Sequence, residues 1–135
     1  PPMIVVDTNV LAYFYLPSEL SPQAARLRER DPHWVAPHLW RSEFRNVLSL
    51  YLRKGMLSLD QAFTIQTRAE TLLADCEYEV PSLEALQLAN ESSCSAYDCE
   101  FVALAKRLNA PLITSDKKLL TAFPKIAMSL AEASA

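Results

Sequence analysis

Short apolar runs alternate with segments of helical period along almost the whole chain, and this alternation restricts the fold more than any other feature. Ile4–Val6 is a β-branched run of the kind that forms buried parallel strands. Similar or alternating runs recur at residues 34–36, 77–80, 111–114 and 126–130. Because helical segments separate these runs, the sequence predicts βαβ units and an α/β fold with a central parallel sheet.

Capping residues and helix breakers divide the intervening segments into helices. We expect helices over residues 10–15, 21–30, 37–53, 58–73, 82–89, 95–108 and 117–123. Gly55 follows two cationic residues and predicts a helix end in the left-handed conformation. Ser58 and Gln61 have the spacing of a capping box. A single glycine predicts few tight hairpins and no glycine-rich phosphate loop.

The length of 135 residues, half of them hydrophobic, predicts one globular domain, which we assign to residues 3–131. We expect Pro1 and Pro2 to be a remnant of expression. No apolar run is long enough to span a bilayer, and no signal peptide is recognisable. Three cysteines without CxxC spacing favour reduced thiols and a cytoplasmic location. The net charge of −3 argues against a strongly basic nucleic-acid binder but does not exclude a nuclease with clustered acids.

Four acidic residues stand at the edges of these apolar elements. Asp7 ends the run IVVDTN and Asp116 ends LITSDKK, so both lie where predicted parallel strands finish. Glu43 and Asp98 each lie near the start of a helical segment, toward its apolar side. Sites in open parallel sheets form beyond the carboxyl ends of the strands. The sequence therefore predicts one shared carboxylate site.

Four carboxylates in one site repel one another, and a divalent cation with a preference for oxygen ligands removes the conflict. Mg²⁺ or Mn²⁺ suits carboxylates and water, whereas two poorly spaced histidines do not suggest zinc. Such an ion supports phosphodiester hydrolysis, because it polarises a phosphoryl oxygen and makes a water molecule more acidic. Neither histidine lies in a context that indicates Ser-His-Asp or Cys-His catalysis.

The motifs MIVVDTNVLAYF, SAYDCEFVALAKRL and PLITSDKKL, in this order and with Glu43 about one third along the chain, resemble the PIN domain family, and more narrowly VapC-type toxins. The resemblance extends over nearly the whole chain. It implies a central parallel sheet of about five strands flanked by helices. It also implies magnesium- or manganese-dependent cleavage of RNA, a homodimer and a cognate antitoxin protein.

The resemblance also assigns site residues. The acidic quartet of the family corresponds to Asp7, Glu43, Asp98 and Asp116. Polar positions that orient a carboxylate, a water or the metal correspond to Thr8, Asn9 and Ser115. Next to this set, Lys117 and Lys118 are candidates for contacts to RNA phosphates.

Simpler structural roles remain open for each acid taken singly. Asp7 or Asp116 could cap the following helix, and Asp98 could favour the helix dipole from the first turn. Glu43 could be a solvated helix residue, and Glu100, which points away from Asp98 on the helix, is expected to be solvated. The aromatic residues 13–15 are expected in the core or in a dimer interface, and Arg26, Arg28 and Arg30 on a solvated surface.

Two other function classes compete with the nuclease. Asp7 could be the covalent nucleophile of a phosphatase, although Asp7-Thr8-Asn9 lacks the second aspartate of the D-x-D pattern of haloacid dehalogenases. Trapping of a phospho-aspartate would identify that chemistry. Alternatively, the chain could be a catalytically silent module that keeps the fold only for binding. Absence of Mn²⁺ binding in calorimetry would favour the silent module.

Overall fold

A five-stranded parallel sheet forms the centre of the protein, as the alternation predicts. The computed structural model describes residues 2–135, so the expectation for Pro1 falls outside the described residues. The strands are β1 (Ile4–Val6), β2 (Trp34–Pro37), β3 (Glu77–Tyr78), β4 (Leu112–Thr114) and β5 (Ala127–Ser129). Their order in the sheet is β3-β2-β1-β4-β5, and every adjacent pair is parallel. The prediction of an α/β fold with about five parallel strands is therefore confirmed.

Eight helices connect or follow the strands in the described part of the chain. They are α1 (Thr8–Tyr15), α2 (Ser21–Arg30), α3 (Leu39–Arg53), α4 (Leu59–Leu72), α5 (Ser82–Asn90), α6 (Ala96–Leu108), α7 (Lys117–Ala122) and α8 (Leu130–Ala133). Helix α3 begins two residues after the predicted start, because Pro37 is the last residue of β2. Helix α8 was not predicted. None of these helices is long and apolar enough to cross a membrane.

Local signals in the sequence account for most helix ends. Ser58 and Gln61 form the predicted capping box in front of α4, with both reciprocal hydrogen bonds present. Ser95 caps α6 by accepting a hydrogen bond from the Asp98 N–H. Gly55 follows α3 with a φ of +70°, a conformation that costs glycine little because it has no Cβ. The Ser95 cap fixes the start of α6 and so the place of Asp98 in its first turn. Gly55 fixes where the chain leaves α3.

The core lies on both faces of the sheet. All three residues of β1 are buried, and successive residues of a strand point to opposite faces, so both faces are covered. The largest fully buried side chains include Trp34, Trp40, Phe44 and Phe101. Helix α6 packs against β1, β2 and β4 and contains six buried residues, more than any other helix of the described chain. This packing holds Asp98 near the ends of the central strands.

A polar network fixes α3 to the edge strand β3. Arg41 donates two hydrogen bonds to the Glu77 carboxylate, from Nε at 2.6 Å and from Nη2 at 2.7 Å, and a third to Glu70 at 3.0 Å. The Trp40 indole donates to the same Glu77 carboxylate at 2.7 Å. These bonds keep the pKa of Glu77 below its ordinary value, with the Arg41 hydrogen bond as the main cause. Because Glu43 lies two residues after Arg41, the network also orients the helix that carries Glu43.

Candidate active site

The four acids predicted from the sequence line a single cavity at the carboxyl edge of the sheet. The cavity has a volume of about 230 Å³ and is open to solvent. Its walls come from the segment after β1, from α3, from α6 and from the segment after β4. The lining residues are Asp7, Thr8, Asn9, Glu43, Asn46, Val47, Asp98, Phe101, Asp116 and Leu119. The geometry therefore brings together residues that are up to 112 positions apart in the chain, from Asp7 to Leu119.

Asp7 is the most buried of the four acids and has two hydrogen-bonded oxygens. It follows β1 directly and is 7% exposed. Its Oδ1 accepts from the Val10 backbone N–H at 3.0 Å, which caps α1, and its Oδ2 accepts from the hydroxyl of Thr114. The capping role that remained open is thus present, and it coexists with a place in the cavity wall.

Glu43 reaches the cavity from the second turn of α3. Its Oε1 accepts a hydrogen bond of 2.7 Å from the Thr8 hydroxyl, which lies on α1 next to Asp7. Thr8 is itself buried. A predicted polar residue therefore holds a predicted acid, although the two are separated by 35 positions in sequence.

Asp98 and Asp116 lie at the N-terminal ends of two helices. Asp98 is in the first turn of α6, where its anionic form is favoured by the helix dipole. Asp116 caps α7, with Oδ1 accepting from the Lys118 backbone N–H at 2.8 Å. Both side chains are partly exposed to the cavity, so their simpler structural roles and their places at the site are again compatible.

Burial and mutual repulsion raise the proton affinity of the site. Burial raises the pKa of Asp7 from 3.8 to about 6, and the charges of Asp116 and Asp98 add to the increase. The pKa of Glu43 is raised by burial and then by the charge of Asp98. The pKa of Asp98 is raised by burial and then by the charge of Asp116. Within residues 2–135 none of the four acids forms a salt bridge, so their charge is not balanced by a direct ion pair.

The donor set fits a hard divalent cation that retains part of its water shell. Every acidic group in the cavity offers carboxylate oxygen, the ligand type that Mg²⁺ and Mn²⁺ prefer. In the described chain, however, no three acidic, histidine or cysteine side chains are placed so that they could hold a metal ion directly. Mg²⁺ is commonly held by one or two carboxylates and several waters. A cation held partly through water does not need three direct protein ligands.

A protein-family model matches almost the whole chain, including the segments that line the cavity. The model of the PIN domain matches residues 4–126, a span that contains all four acids. The chain belongs to the PIN domain family. It is also 29% identical over 126 residues to the protein named Ribonuclease VapC3 of Pyrobaculum aerophilum, a match that covers 91% of this chain and 96% of that protein.

Solved structures share the fold of this PIN domain. The crystal structure of PAE2754 from Pyrobaculum aerophilum matches with a TM-score of 0.79 and 20% identity, over 98% of this chain and 87% of that one. FitAcB from Neisseria gonorrhoeae matches with a TM-score of 0.74 and 17% identity, over 96% and 99% of the two chains. FitAB bound to the IR36 DNA fragment matches with a TM-score of 0.72 and 18% identity, over 95% of each. At these identities the matches establish the fold alone.

The other polar residues predicted for the site differ in whether they line the cavity. Asn9 is exposed and lines the cavity. Ser115 is not part of the cavity wall, and its hydroxyl pairs with the Tyr13 hydroxyl at 3.0 Å. Lys117 and Lys118 are exposed beside the wall, and the charge of Lys118 lowers the pKa of Asp98 slightly against the larger effect of burial.

Two residues of the site were missed by the sequence reasoning. Thr114 holds Asp7, and although it lies in the motif PLITSDKKL directly before Ser115 and Asp116, it was given no role. Asn46 lines the cavity one helical turn after Glu43, a spacing that places both on one face of α3. The expectation that Glu100 is solvated is wrong in degree. Glu100 is half-buried, burial raises its pKa, and its charge contributes to the raised pKa of Glu43.

Proposed function

We propose that this PIN domain is a Mg²⁺- or Mn²⁺-dependent endoribonuclease and the toxin of a VapBC-type toxin–antitoxin pair. One observation carries the proposal: four carboxylates line one cavity, and none has an ion-pair partner within residues 2–135. Burial of Asp7 and repulsion between neighbouring carboxylates disfavour the ionised state of the site, and a bound cation would relieve both effects. The similarity to a protein named Ribonuclease VapC3 supports RNA as the substrate class.

We assign the cation to Asp7, Glu43, Asp98 and Asp116, through direct or water-mediated contacts. A bound divalent cation would polarise a phosphoryl oxygen, make a water molecule more acidic and neutralise the charge that develops during hydrolysis. Asp7 is held through both oxygens, so its role is to present a fixed carboxylate rather than to move during the reaction. The same two bonds and its burial argue against Asp7 as a phosphatase nucleophile, which would need a free and accessible oxygen.

A carboxylate of the site also has to accept the proton of the attacking water. A raised pKa makes a carboxylate a better base at neutral pH, provided that it stays ionised. Glu43 combines a raised pKa with a fixed position, since Thr8 holds one of its oxygens and no hydrogen bond within residues 2–135 occupies the other. We therefore assign proton acceptance to Glu43.

The partners follow from the same proposal. RNA would enter the open side of the cavity, where Lys117 and Lys118 are exposed and available for its phosphates. The cognate antitoxin protein and a homodimer are proposed from the VapC-type resemblance, as are the domain limits at residues 3 and 131. A cytoplasmic location is proposed from the three cysteines, all of which are free thiols in the structure.

Cleavage of RNA by matched variants tests this function. Asp7→Asn and Asp98→Asn should fold and should lose Mn²⁺-dependent cleavage, down to the level of wild-type protein in EDTA. Asp60→Asn is a matched control, because Asp60 is an exposed acid in the first turn of α4 outside the cavity. Asp60→Asn should cleave RNA like wild type. Because all the proteins are purified in parallel, a contaminating nuclease would give the same cleavage in every preparation. Wild-type cleavage by both active-site variants would overturn the proposal, and absence of both Mn²⁺ binding and RNA cleavage in the wild-type protein would favour the silent module.

A further inference from the structure

The buried hydroxyl of Thr114 connects two acids of the cavity. Thr114 is the last residue of β4 and is fully buried. Strand β4 pairs with β1 in parallel register, with Val6 opposite Ile113, so Thr114 comes level with Asp7. The Thr114 hydroxyl donates to Asp7 Oδ2 and accepts from the Asp116 backbone N–H at 3.0 Å. A threonine hydroxyl has one proton, and the Asp116 N–H can only donate, so the single proton is directed at Asp7.

The bonds around Asp7 determine which lone pairs face the cavity. A carboxylate has about four acceptor positions, and Asp7 uses one on each oxygen for Val10 and Thr114. The Val10 bond comes from the backbone of α1 and fixes one oxygen. Among the described residues, the Thr114 bond is the one that holds the second oxygen, and it therefore restrains the rotation of the carboxylate plane. The same hydroxyl holds the backbone at Asp116, so the relative position of the two acids also depends on it.

We propose that Thr114 is a positioning residue, which sets the orientation of Asp7 and Asp116 for cation binding without touching the cation. This inference rests on the proposed function, because it assumes that the two acids hold a cation. Partners that orient metal ligands in this way commonly contribute about 10- to 100-fold to metal affinity. A purely structural reading differs in its consequence: a buried strand residue that only satisfies its hydroxyl would affect folding stability and leave cation affinity unchanged.

Calorimetric titration of the RNA-free protein with Mn²⁺ distinguishes the two readings. At about pH 8, Thr114→Val should weaken Mn²⁺ binding by about 10- to 100-fold, because it removes the hydroxyl and keeps the branched shape. Thr114→Ser keeps the hydroxyl and should bind Mn²⁺ close to wild type. Ser134→Ala is a control for the loss of a buried hydroxyl outside the cavity, and it should change only the melting temperature.

The outcomes separate the inference from the proposed function. Wild-type Mn²⁺ affinity in a folded Thr114→Val variant overturns the positioning role and leaves the proposed function standing. Absence of Mn²⁺ binding by the wild-type protein removes the basis of both. If Thr114→Val does not fold, Thr114→Ala and Thr114→Ser provide the comparison, since they differ only in the hydroxyl. Equal Mn²⁺ affinity in that pair would likewise overturn the inference, and weaker binding by the alanine variant would support it.

Discussion

Replacing Asp7 by asparagine should stabilise the metal-free protein at high pH, although Asp7 is central to the proposed site. Burial raises the pKa of Asp7 from 3.8 to about 6 in the folded protein. The folded state therefore binds this proton more tightly than the unfolded state does. The resulting stability is fully present below pH 3.8 and is lost as the pH rises through about 6. Above about pH 6 the ionised Asp7 side chain destabilises the metal-free folded state.

The pKa values give the size of the effect. At about 1.36 kcal/mol for each pH unit, the rise from 3.8 to about 6 corresponds to about 3 kcal/mol. When the pH falls from about 8 to 5, the protein regains about 1.4 kcal/mol of this stability. The rest is regained only at lower pH, because pH 5 still lies above 3.8. Asparagine does not ionise, and its oxygen can accept the Val10 N–H while its amide faces Thr114. The Thr114 proton then loses its acceptor, so we expect a net gain of about 1 to 2 kcal/mol at about pH 8.

Urea denaturation in EDTA measures this effect directly. The free energy of unfolding of Asp7→Asn should exceed that of wild type at about pH 8, and its change between about pH 8 and pH 5 should be smaller by about 1.4 kcal/mol. Asp60→Asn, outside the cavity, should show no such gain. Added Mn²⁺ should stabilise wild type and not Asp7→Asn, because only the folded wild type binds the cation. If Asp7→Asn were less stable than wild type at pH 8, with the same pH dependence, the ionised Asp7 side chain would not be destabilising in the metal-free fold.

Three further predictions concern residues around the site. Glu77→Gln should lower the free energy of unfolding in urea by about 1 to 2 kcal/mol, because the partly exposed Arg41 fork loses its charged acceptor. Ser95→Ala should lower it by about 1 kcal/mol through loss of the α6 cap, measured in the same assay. Lys118→Ala should reduce the slope of log affinity for single-stranded RNA against log salt by about 0.7, as measured by fluorescence anisotropy, with Lys125→Ala unchanged.

The fold could be predicted from sequence largely because the strands carry clear local signals. The β-branched runs at Ile4–Val6 and Leu112–Thr114 mark buried strands, and the helices between them have caps that are readable in sequence. Helix α8 was not predicted because four residues are too few to show the helical spacing of apolar positions. The start of α3 was placed at Pro37 because proline is common in the first turn of a helix, whereas in the structure Pro37 ends β2.

The site could be predicted only in part, and the missing part depends on contacts between distant segments. The four acids were recognisable because each interrupts or borders an apolar element. The hydrogen bond between Thr114 and Asp7 joins residues 107 positions apart, and only the pairing of β1 with β4 creates it. Glu100 was misjudged because its angular position on α6 does not determine where a long side chain places its charge.

A crystal structure of the protein with Mn²⁺, analysed through the anomalous scattering of the metal, tests the proposed cation site most directly. We expect an anomalous peak inside the cavity, with carboxylate oxygens of Asp7 or Asp98 among its neighbours at about 2.0 to 2.2 Å and waters completing the shell. The number of peaks, one or two, would also show how many ions the site holds. Crystals grown with Mn²⁺ that show full density for the four acids and no anomalous peak between them would exclude a cation site in this cavity.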